Sequence, residues 1–471
     1  MISKSTISAA INRANGELKS AWNVISSNKK SKDRGRSLIG CQSKLIEALW
    51  ILDTQYYAIC KEKRRLIENK GRYDVRWFSR RMARLDSYIH ILRNEIGKTK
   101  AVGDGYAWIF YGNDDILVDE HLKQQRQINL PPGIGRIGER AFVEKLQGFN
   151  KHFVLYHGIT SYLRIGDISF FDPNKGRIKS IGELKSEQVG KDEYRVTLGF
   201  TYGPGIETPV DISSLRSNTT NEGPSLPSTH KARLRRQLSQ ISAAIAQVRK
   251  AEQQTILART GEYHFFELDE VIRESNDVGF AYRRAGNSLV LAAIRIRGVE
   301  ASERAFQPPR NLNKQLDPVI EAAQSIVHPN SNDNCLSVIT IGYDTDGFPR
   351  MQPGTIPLMW WPLARDNLHD LIFGRVVVMS LYNPAHFWEL LRSNGFSVTA
   401  DSRTRSVSAT KKGQRGTLQF GNLGYFWRLA ATFLMSDNTI LSILNDAADE
   451  AEKQRPGARV KIELKPRMKI Q

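Results

Sequence analysis

Ile165-Gly166-Asp167-Ile168-Ser169-Phe170-Phe171, then Asp172-Pro173-Asn174-Lys175-Gly176, then Ile178-Lys179-Ser180-Ile181-Gly182-Glu183-Leu184-Lys185: this run decides the reading of the middle of the chain. Alternation predicts a strand over Ile165 to Phe171, with Ile165, Asp167 and Ser169 on one face and Gly166, Ile168 and Phe170 on the other. A second strand is predicted over Ile178 to Leu184. The Asp-Pro-Asn-Lys-Gly stretch between them is a strong turn and joins the two as a hairpin. Residues two apart on a strand point the same way, so Glu183 and Lys185 share a side, and the hairpin can bring Asp167 beside them. Two carboxylates and an ammonium make a poor core, because burying unpaired charge is costly. They make a good site for a hard divalent cation such as Mg²⁺ or Mn²⁺, which takes oxygen ligands and keeps positions for water and phosphate.

Working outward, Phe153 to His157 reads as a preceding strand, and Gly138 to Phe149 as a helix with Phe142 and Leu146 turned inward. Pro131-Pro132-Gly133 punctuates the chain before it. Downstream, Tyr194 to Tyr202 is a further strand. A polar loop insertion at 203–229 follows, too long to be a simple connection within a compact domain. Leu234, Leu238, Ile241, Ile245 and Val248 then line one face of a helix whose first turns carry Lys231, Arg233, Arg235 and Arg236. Ser288 to Arg297 alternates as a last strand. Gln188 and Gln237 are accessory polar candidates near the carboxylates.

An Asp on one strand followed by Glu-x-Lys at the end of the next resembles the PD-(D/E)XK, or restriction-endonuclease-like, nuclease superfamily. That family has a core of helix, three strands, helix and strand, and the order from Gly138 to Arg297 agrees with it. Glu139, in Gly138-Glu139-Arg140-Ala141-Phe142, matches the Glu commonly carried by the family's first helix. Gly166 stands where the name-giving Pro would be. The resemblance implies Asp167 and Glu183 as metal ligands, the backbone carbonyl of Leu184 as a third, and Glu139 completing the shell directly or through water. It implies that Lys185 orients and deprotonates the attacking water or stabilises charge on the phosphate. Catalysis would then fall to Glu139, Asp167, Glu183 and Lys185, with Mg²⁺ or Mn²⁺ as cofactor.

The charge balance agrees: 68 Lys and Arg against 49 Asp and Glu leave a net +19, a surface that favours polyanions through counterion release. The first hundred residues hold 22 Lys and Arg against 9 Asp and Glu, so most of the surplus lies there, as in a binding surface rather than a background. In that region Leu38, Cys41, Leu45, Leu49, Leu52, Tyr56 and Ile59 form one helical face, and Phe78, Met82, Leu85, Ile89, Leu92 and Ile96 form a second after the break at Asn69-Lys70-Gly71. Together they predict a helical hairpin, with Lys61, Lys63, Arg64, Arg65, Arg76, Arg80, Arg81 and Arg84 around the connection. Those charges are either a solvated helix face or an arm that grips DNA, binds a partner protein or forms a homodimer. Arg80 and Arg81 join Lys231, Arg233, Arg235 and Arg236 as nucleic-acid-binding candidates.

The remaining signals mostly exclude. Cys41, Cys60 and Cys335 form neither a Cys-x-x-Cys pair nor a disulfide framework. The N-terminus lacks a signal peptide's apolar core, and no apolar run has the length of a bilayer span, so a cytoplasmic protein without membrane partners is expected. Gly424 to Met435 reads as a buried helix. Gly133-Ile134-Gly135-Arg136-Ile137-Gly138 fits a dinucleotide fingerprint but lacks the preceding strand. No phosphate-binding G-x-x-x-x-G-K-[ST] loop is present, which argues against ATP hydrolysis. Asp344-Thr345-Asp346-Gly347 reads as a turn, not a calcium loop. Trp360-Trp361 and His386-Phe387-Trp388 read as core. Beyond Gly298, Leu336 to Tyr343 and Arg375 to Leu381 read as strands, Asn383-Pro384 caps a helix, and Ser406 to Phe420 reads as a hairpin.

The expectation is a mixed α+β or α/β protein with a basic helical arm at 1–110, a PD-(D/E)XK-like domain at 111–298 and a C-terminal α+β domain at 299–471. Its expected function is metal-dependent hydrolysis of phosphodiester bonds, in DNA with RNA as the other substrate, in a setting such as restriction or phage defence. The alternative is a non-catalytic nucleic-acid-binding or scaffold protein with a degenerate nuclease fold.

Overall fold

The computed structural model describes residues 2–28, 35–112, 114–124, 148–149, 152–190, 193–202, 236–244, 246, 256–296, 300–306, 316–341, 351–352, 355–401, 406–414, 416–421, 423–453 and 461–466. The protein is mixed α+β, and its sheets among the described residues are almost wholly antiparallel. In chain order come helices α1 (Lys4–Asn28), α2 (Gly35–Glu68), α3 (Val75–Tyr111) and α4 (Asp115–Lys123). Strands β1 (Gly148–Phe149), β2 (His152–Tyr156), β3 (Ile168–Asp172), β4 (Arg177–Gly190) and β5 (Glu193–Tyr202) follow, and then a helix α5 over 236–244. The remainder runs β6 (Ile256–Gly261), α6 (Phe265–Val278), β7 (Phe280–Ala285), β8 (Leu289–Arg295), α7 (Ala301–Phe306), α8 (Leu316–Gln324), β9 (Ser337–Ile341), α9 (Arg365–Ile372), β10 (Val376–Tyr382), α10 (Pro384–Ser393), β11 (Phe396–Asp401), β12 (Ser406–Lys412), β13 (Thr417–Phe420), α11 (Leu423–Phe433), α12 (Asp437–Lys453) and β14 (Lys461–Pro466).

The chain forms two compact units. One comprises residues 20–47 and 103–253, the other 1–19, 48–102 and 254–471. In the first, the central unit, β1 to β5 form an antiparallel sheet in sequence order. Successive strands pair because each connection is short enough to fold straight back. The β3–β4 hairpin turns where the sequence predicts: the Asp172 carboxylate accepts the backbone N–H groups of Asn174 and Lys175, and Gly176 takes φ +61°. Beyond β1, buried Gln42 completes β2's edge, its amide donating to the Val154 carbonyl and accepting the Tyr156 N–H, so a side chain stands in for a neighbouring strand.

The second unit holds residues 48–68 of α2 and 75–102 of α3. Ile51, Leu52, Ile59 and Leu66 of α2 meet Leu85, Tyr88, Ile89 and Leu92 of α3 in one core, joined by Ile7, Ile11 and Ala14 of α1. Each fully buried aliphatic chain there contributes roughly 1.5–3 kcal/mol. The same unit contains the sheet β7-β8-β10-β9, the sheet β11-β12-β13 and the parallel pair β14-β6. Of the two runs expected as core, Trp361, Phe387 and Trp388 are buried, while Trp360 and His386 are half-buried. The three cysteines are free.

Several sequence expectations need correction. The strand read over Ser288 to Arg297 is β8, and β7 and β10 occupy both of its edges along its length, so it cannot complete a core with β1 to β5. The helix read to Phe149 cannot run that far, since Gly148 and Phe149 pair with Phe153 and His152. The loop at 203–229, the glycine run at 133–138 and the turn at 344–347 lie outside the described residues.

Candidate metal centre

The site grows from the mismatch in length between β3 and β4. Pairing between them ends at Ile168 opposite Gly182, while β4 continues to Gly190 against β5. Asp167 is therefore not in the strand, as the sequence reading had it, but one residue before it, where its N–H donates to the Gly182 carbonyl at 2.7 Å. The next inward N–H on that edge of β4 belongs to Leu184, and no β3 backbone is there to receive it. Asp167 Oδ2 accepts it instead, at 2.8 Å. That bond fixes the Asp167 carboxylate against the segment Glu183-Leu184-Lys185.

Glycine at 166 is required by this geometry. Its φ is +68°, which proline's ring forbids, and a Cβ would sit 2.6 Å from the Gly182 carbonyl oxygen. The departure from the family's Pro thus has a local physical cause. Gly182 is less confined, since the nearest atom a Cβ would meet is the flexible end of a side chain, Leu198 Cδ1 at 2.9 Å.

Glu183 and Lys185 share a face as the two-residue period requires, and Lys185 Nζ lies 2.8 Å from Glu183 Oε1 and 3.0 Å from the Leu184 carbonyl oxygen. Glu183 is only 1% exposed and Asp167 7%, whereas the Lys185 side chain keeps 20%. Gln237, buried on α5, also donates its Nε2 to Glu183 Oε1. Of the two accessory glutamines, Gln237 therefore touches the site; the Gln188 side chain lies outside the described residues. A carboxylate this buried is held by charge-assisted bonds from an ammonium and an amide, the stronger kind of hydrogen bond.

Behind Asp167 lies a polar cluster. The His157 N–H donates to the Asp167 carbonyl, and its ring Nδ1 lies 3.1 Å from the Gly166 carbonyl oxygen. A carbonyl only accepts, so Nδ1 carries the proton, and Nε2 accepts from the Ser169 hydroxyl. Ser169 Oγ in turn accepts from the Tyr111 hydroxyl. Burial drives the His157 ring down to about 3, so it stays neutral. His121 Nδ1 accepts the N–H groups of Arg164 and Ile165, and burial, with His157 and Arg164 nearby, lowers its basicity well below the usual histidine value. Asp104 holds Ser161 through both its N–H and its hydroxyl. The loop 157–167 is thus tied at successive residues, and Asp167 leaves it at a fixed position. The sequence signal for this was Ser169, a polar residue two past Asp167 on the inward face.

Comparison of the chain with family models, with curated proteins and with solved structures returns no match. The functional reading therefore rests on the residues themselves.

The donor set can be tested against a cation. Two carboxylates and the Leu184 carbonyl are hard oxygen donors, the chemistry Mg²⁺ and Mn²⁺ prefer, and their number leaves coordination positions for water and phosphate. Among the described residues no three His, Cys, Asp or Glu side chains group together as a metal site. Glu139, the expected further ligand, lies outside the described residues.

The nucleic-acid-binding candidates divide. Lys231, Arg233 and Arg235 lie outside the described residues, while Arg236 is exposed at the start of α5 and Arg80 is exposed on α3. Arg81 is a correction. It is 8% exposed, pairs with Glu62 and donates to the Ile2 carbonyl, and so braces α3 against α2 and the residues ahead of α1 instead of facing a polyanion.

Proposed function

We propose that the central unit is a metal-dependent nuclease of PD-(D/E)XK type that hydrolyses phosphodiester bonds, DNA being the leading substrate. The observation that supports this most is the gathering of Asp167, Glu183 and Lys185 at the place where β3 stops and β4 continues. In this reading β2, β3 and β4 are the three core strands and α5 is the second helix. Asp167, Glu183 and the Leu184 carbonyl would hold Mg²⁺ or Mn²⁺, with Glu139 completing the set. When bound, the ion neutralises the scissile phosphate and lowers the pKa of a coordinated water. The Lys185 ammonium, tethered beside Glu183, would orient an attacking water and stabilise charge developing on phosphate oxygens. Gln237 fixes the Glu183 rotamer, and the His157 cluster fixes the Asp167 turn.

A second reading is a degenerate nuclease that binds nucleic acid without cutting it. It is favoured by the Glu183 Oε1 bonds from Lys185 and Gln237, which already satisfy that oxygen within the protein. Incubation of supercoiled plasmid and of a labelled RNA with Mg²⁺ or Mn²⁺ separates the readings. Nicking that disappears with EDTA, and falls roughly 10²–10³-fold in Asp167→Asn and Lys185→Met, is the expected result. Equal nicking by the wild type and both variants rejects the site, and loss of RNA instead of plasmid changes the substrate to RNA.

A further inference from the structure

We infer that the tip and outer flank of the α2–α3 hairpin form a surface that binds the phosphate backbone of duplex nucleic acid. Arg64 and Arg65 of α2, Arg72 of the connection, and Arg76, Arg80 and Arg84 of α3 are all exposed. None of the six forms a salt bridge among the described residues, although carboxylates are close in sequence. Three of those carboxylates are engaged elsewhere, Glu62 with Arg81, Asp86 with Lys63, and Asp74 with the Trp77 N–H at the start of α3, and exposed Glu68 forms no salt bridge among the described residues. Apart from the Arg80 Nε, which donates to the Arg76 carbonyl at 3.3 Å, the guanidiniums face solvent, and the group suits phosphate, which arginine's planar fork engages with two parallel bonds.

Their arrangement is as informative as their number. Arg76, Arg80 and Arg84 recur every four residues and form one row about 12 Å long at 1.5 Å rise per residue. One strand of a duplex carries a charge roughly every 3.4 Å of axis, so the row spans three or four phosphates. The other side of α3 is committed to the core through Leu85, Tyr88 and Leu92, which leaves only its polar face outward.

An anionic bilayer is the competing partner. Ile67 and Val75 are 56% and 75% exposed at the tip, and Tyr73 stacks on Trp77 with centroids 5.0 Å apart, features that also suit a lipid interface. Two exposed aliphatic residues at a tip do not account for a row of arginines running back along the flank, where α3 has no outward apolar face to insert. Nucleic acid accounts for both, with the tip residues free to rest in a groove. The inference stands without the nuclease reading, since phosphate contacts need no metal.

The test uses the full chain in EDTA, with a fluorescent 20-base-pair duplex and, separately, vesicles of phosphatidylcholine and phosphatidylglycerol. Binding is measured from 50 to 200 mM salt for the wild type, for Arg76→Gln/Arg80→Gln/Arg84→Gln, and for a control carrying Arg273→Gln, Lys412→Gln and Lys453→Gln. Circular dichroism melts check that each variant is folded. Loss of three phosphate contacts should flatten the log–log salt slope by about 2.7, so that the salt-induced loss of affinity is about 40-fold smaller than in the wild type. The control should keep the wild-type slope. Absence of duplex binding by the wild type, equal slopes for the two triple variants, or a loss confined to the vesicles would each overturn the inference.

Discussion

Lowering the pH from 7.5 to 5.5 should destabilise the central unit through His121 and His157. Burial holds both rings neutral in the fold, His157 down to about 3, whereas the unfolded chain protonates them near the ordinary histidine value. Below about pH 6.5 the unfolded state therefore binds more protons than the native state, and stability falls with pH until the folded ring itself titrates. One such histidine costs roughly 1 kcal/mol between pH 7.5 and 5.5, and the pair about twice that. The window separates them from carboxylates with lowered values, such as Glu62 and Asp370, whose stabilising contributions are lost only as the pH falls through the carboxylate range. Native-state hydrogen exchange at the β2 to β4 amides, corrected for the intrinsic pH dependence of exchange, reads the effect in the right unit. In His157→Gln the loss should shrink by about half, because only His121 remains to titrate. A wild type whose protection is constant over this range, or a variant with undiminished pH sensitivity, would refute the argument that these rings are buried and neutral.

Gly166→Ala should cost about 2–4 kcal/mol, combining a left-handed backbone with a Cβ driven toward the Gly182 carbonyl; a loss under about 1 kcal/mol in urea unfolding would show that the turn relaxes freely. Arg81→Ala should cost about 1–3 kcal/mol by removing the ion pair with Glu62, which keeps the Ile2 N–H, while the salt slope for duplex binding stays unchanged. A changed slope would return Arg81 to the binding surface. Gln237→Leu should keep the fold but weaken Mg²⁺ activation roughly 10–100-fold, the usual cost of removing a group that orients a ligand. Unaltered activation in a metal titration would make the Gln237 contact incidental.

The hairpins were legible in the sequence because their determinants are local. Asp172 to Gly176 is a turn by its own chemistry, and Phe153 to Tyr156 and Ile178 to Leu184 pair as their positions predict. The helical hairpin was legible from its three-and-four spacing. Helix α1 carries an equally regular series in Ile7, Ile11, Ala14, Leu18, Trp22 and Ile25, all buried, but the surrounding Asn and Ser residues obscured it. What periodicity could not supply was partnership. Ser288 to Arg297 alternates well enough to be a strand anywhere, and only β7 and β10 on its two edges decide which sheet it joins. Charge was ambiguous for the same reason: Arg80 and Arg81 are adjacent in sequence, yet a rotation of one residue turns the second inward onto Glu62. At the candidate site, Glu183 and Lys185 were legible from the strand period. Asp167's role depends on β3 beginning only one residue after it, and the hydrogen-bonded chain from Tyr111 through Ser169 to His157 joins segments no sequence window contains together.

Direct binding of Mn²⁺ tests the central claim, followed by the loss of the free-ion electron paramagnetic resonance signal as protein is added. The wild type should take up the ion, with uptake abolished in Asp167→Asn and in Glu183→Gln but retained in Arg80→Gln. Uptake by both carboxylate variants equal to that of the wild type would mean that Asp167 and Glu183 do not hold a cation, and the proposed hydrolytic chemistry would lose its basis.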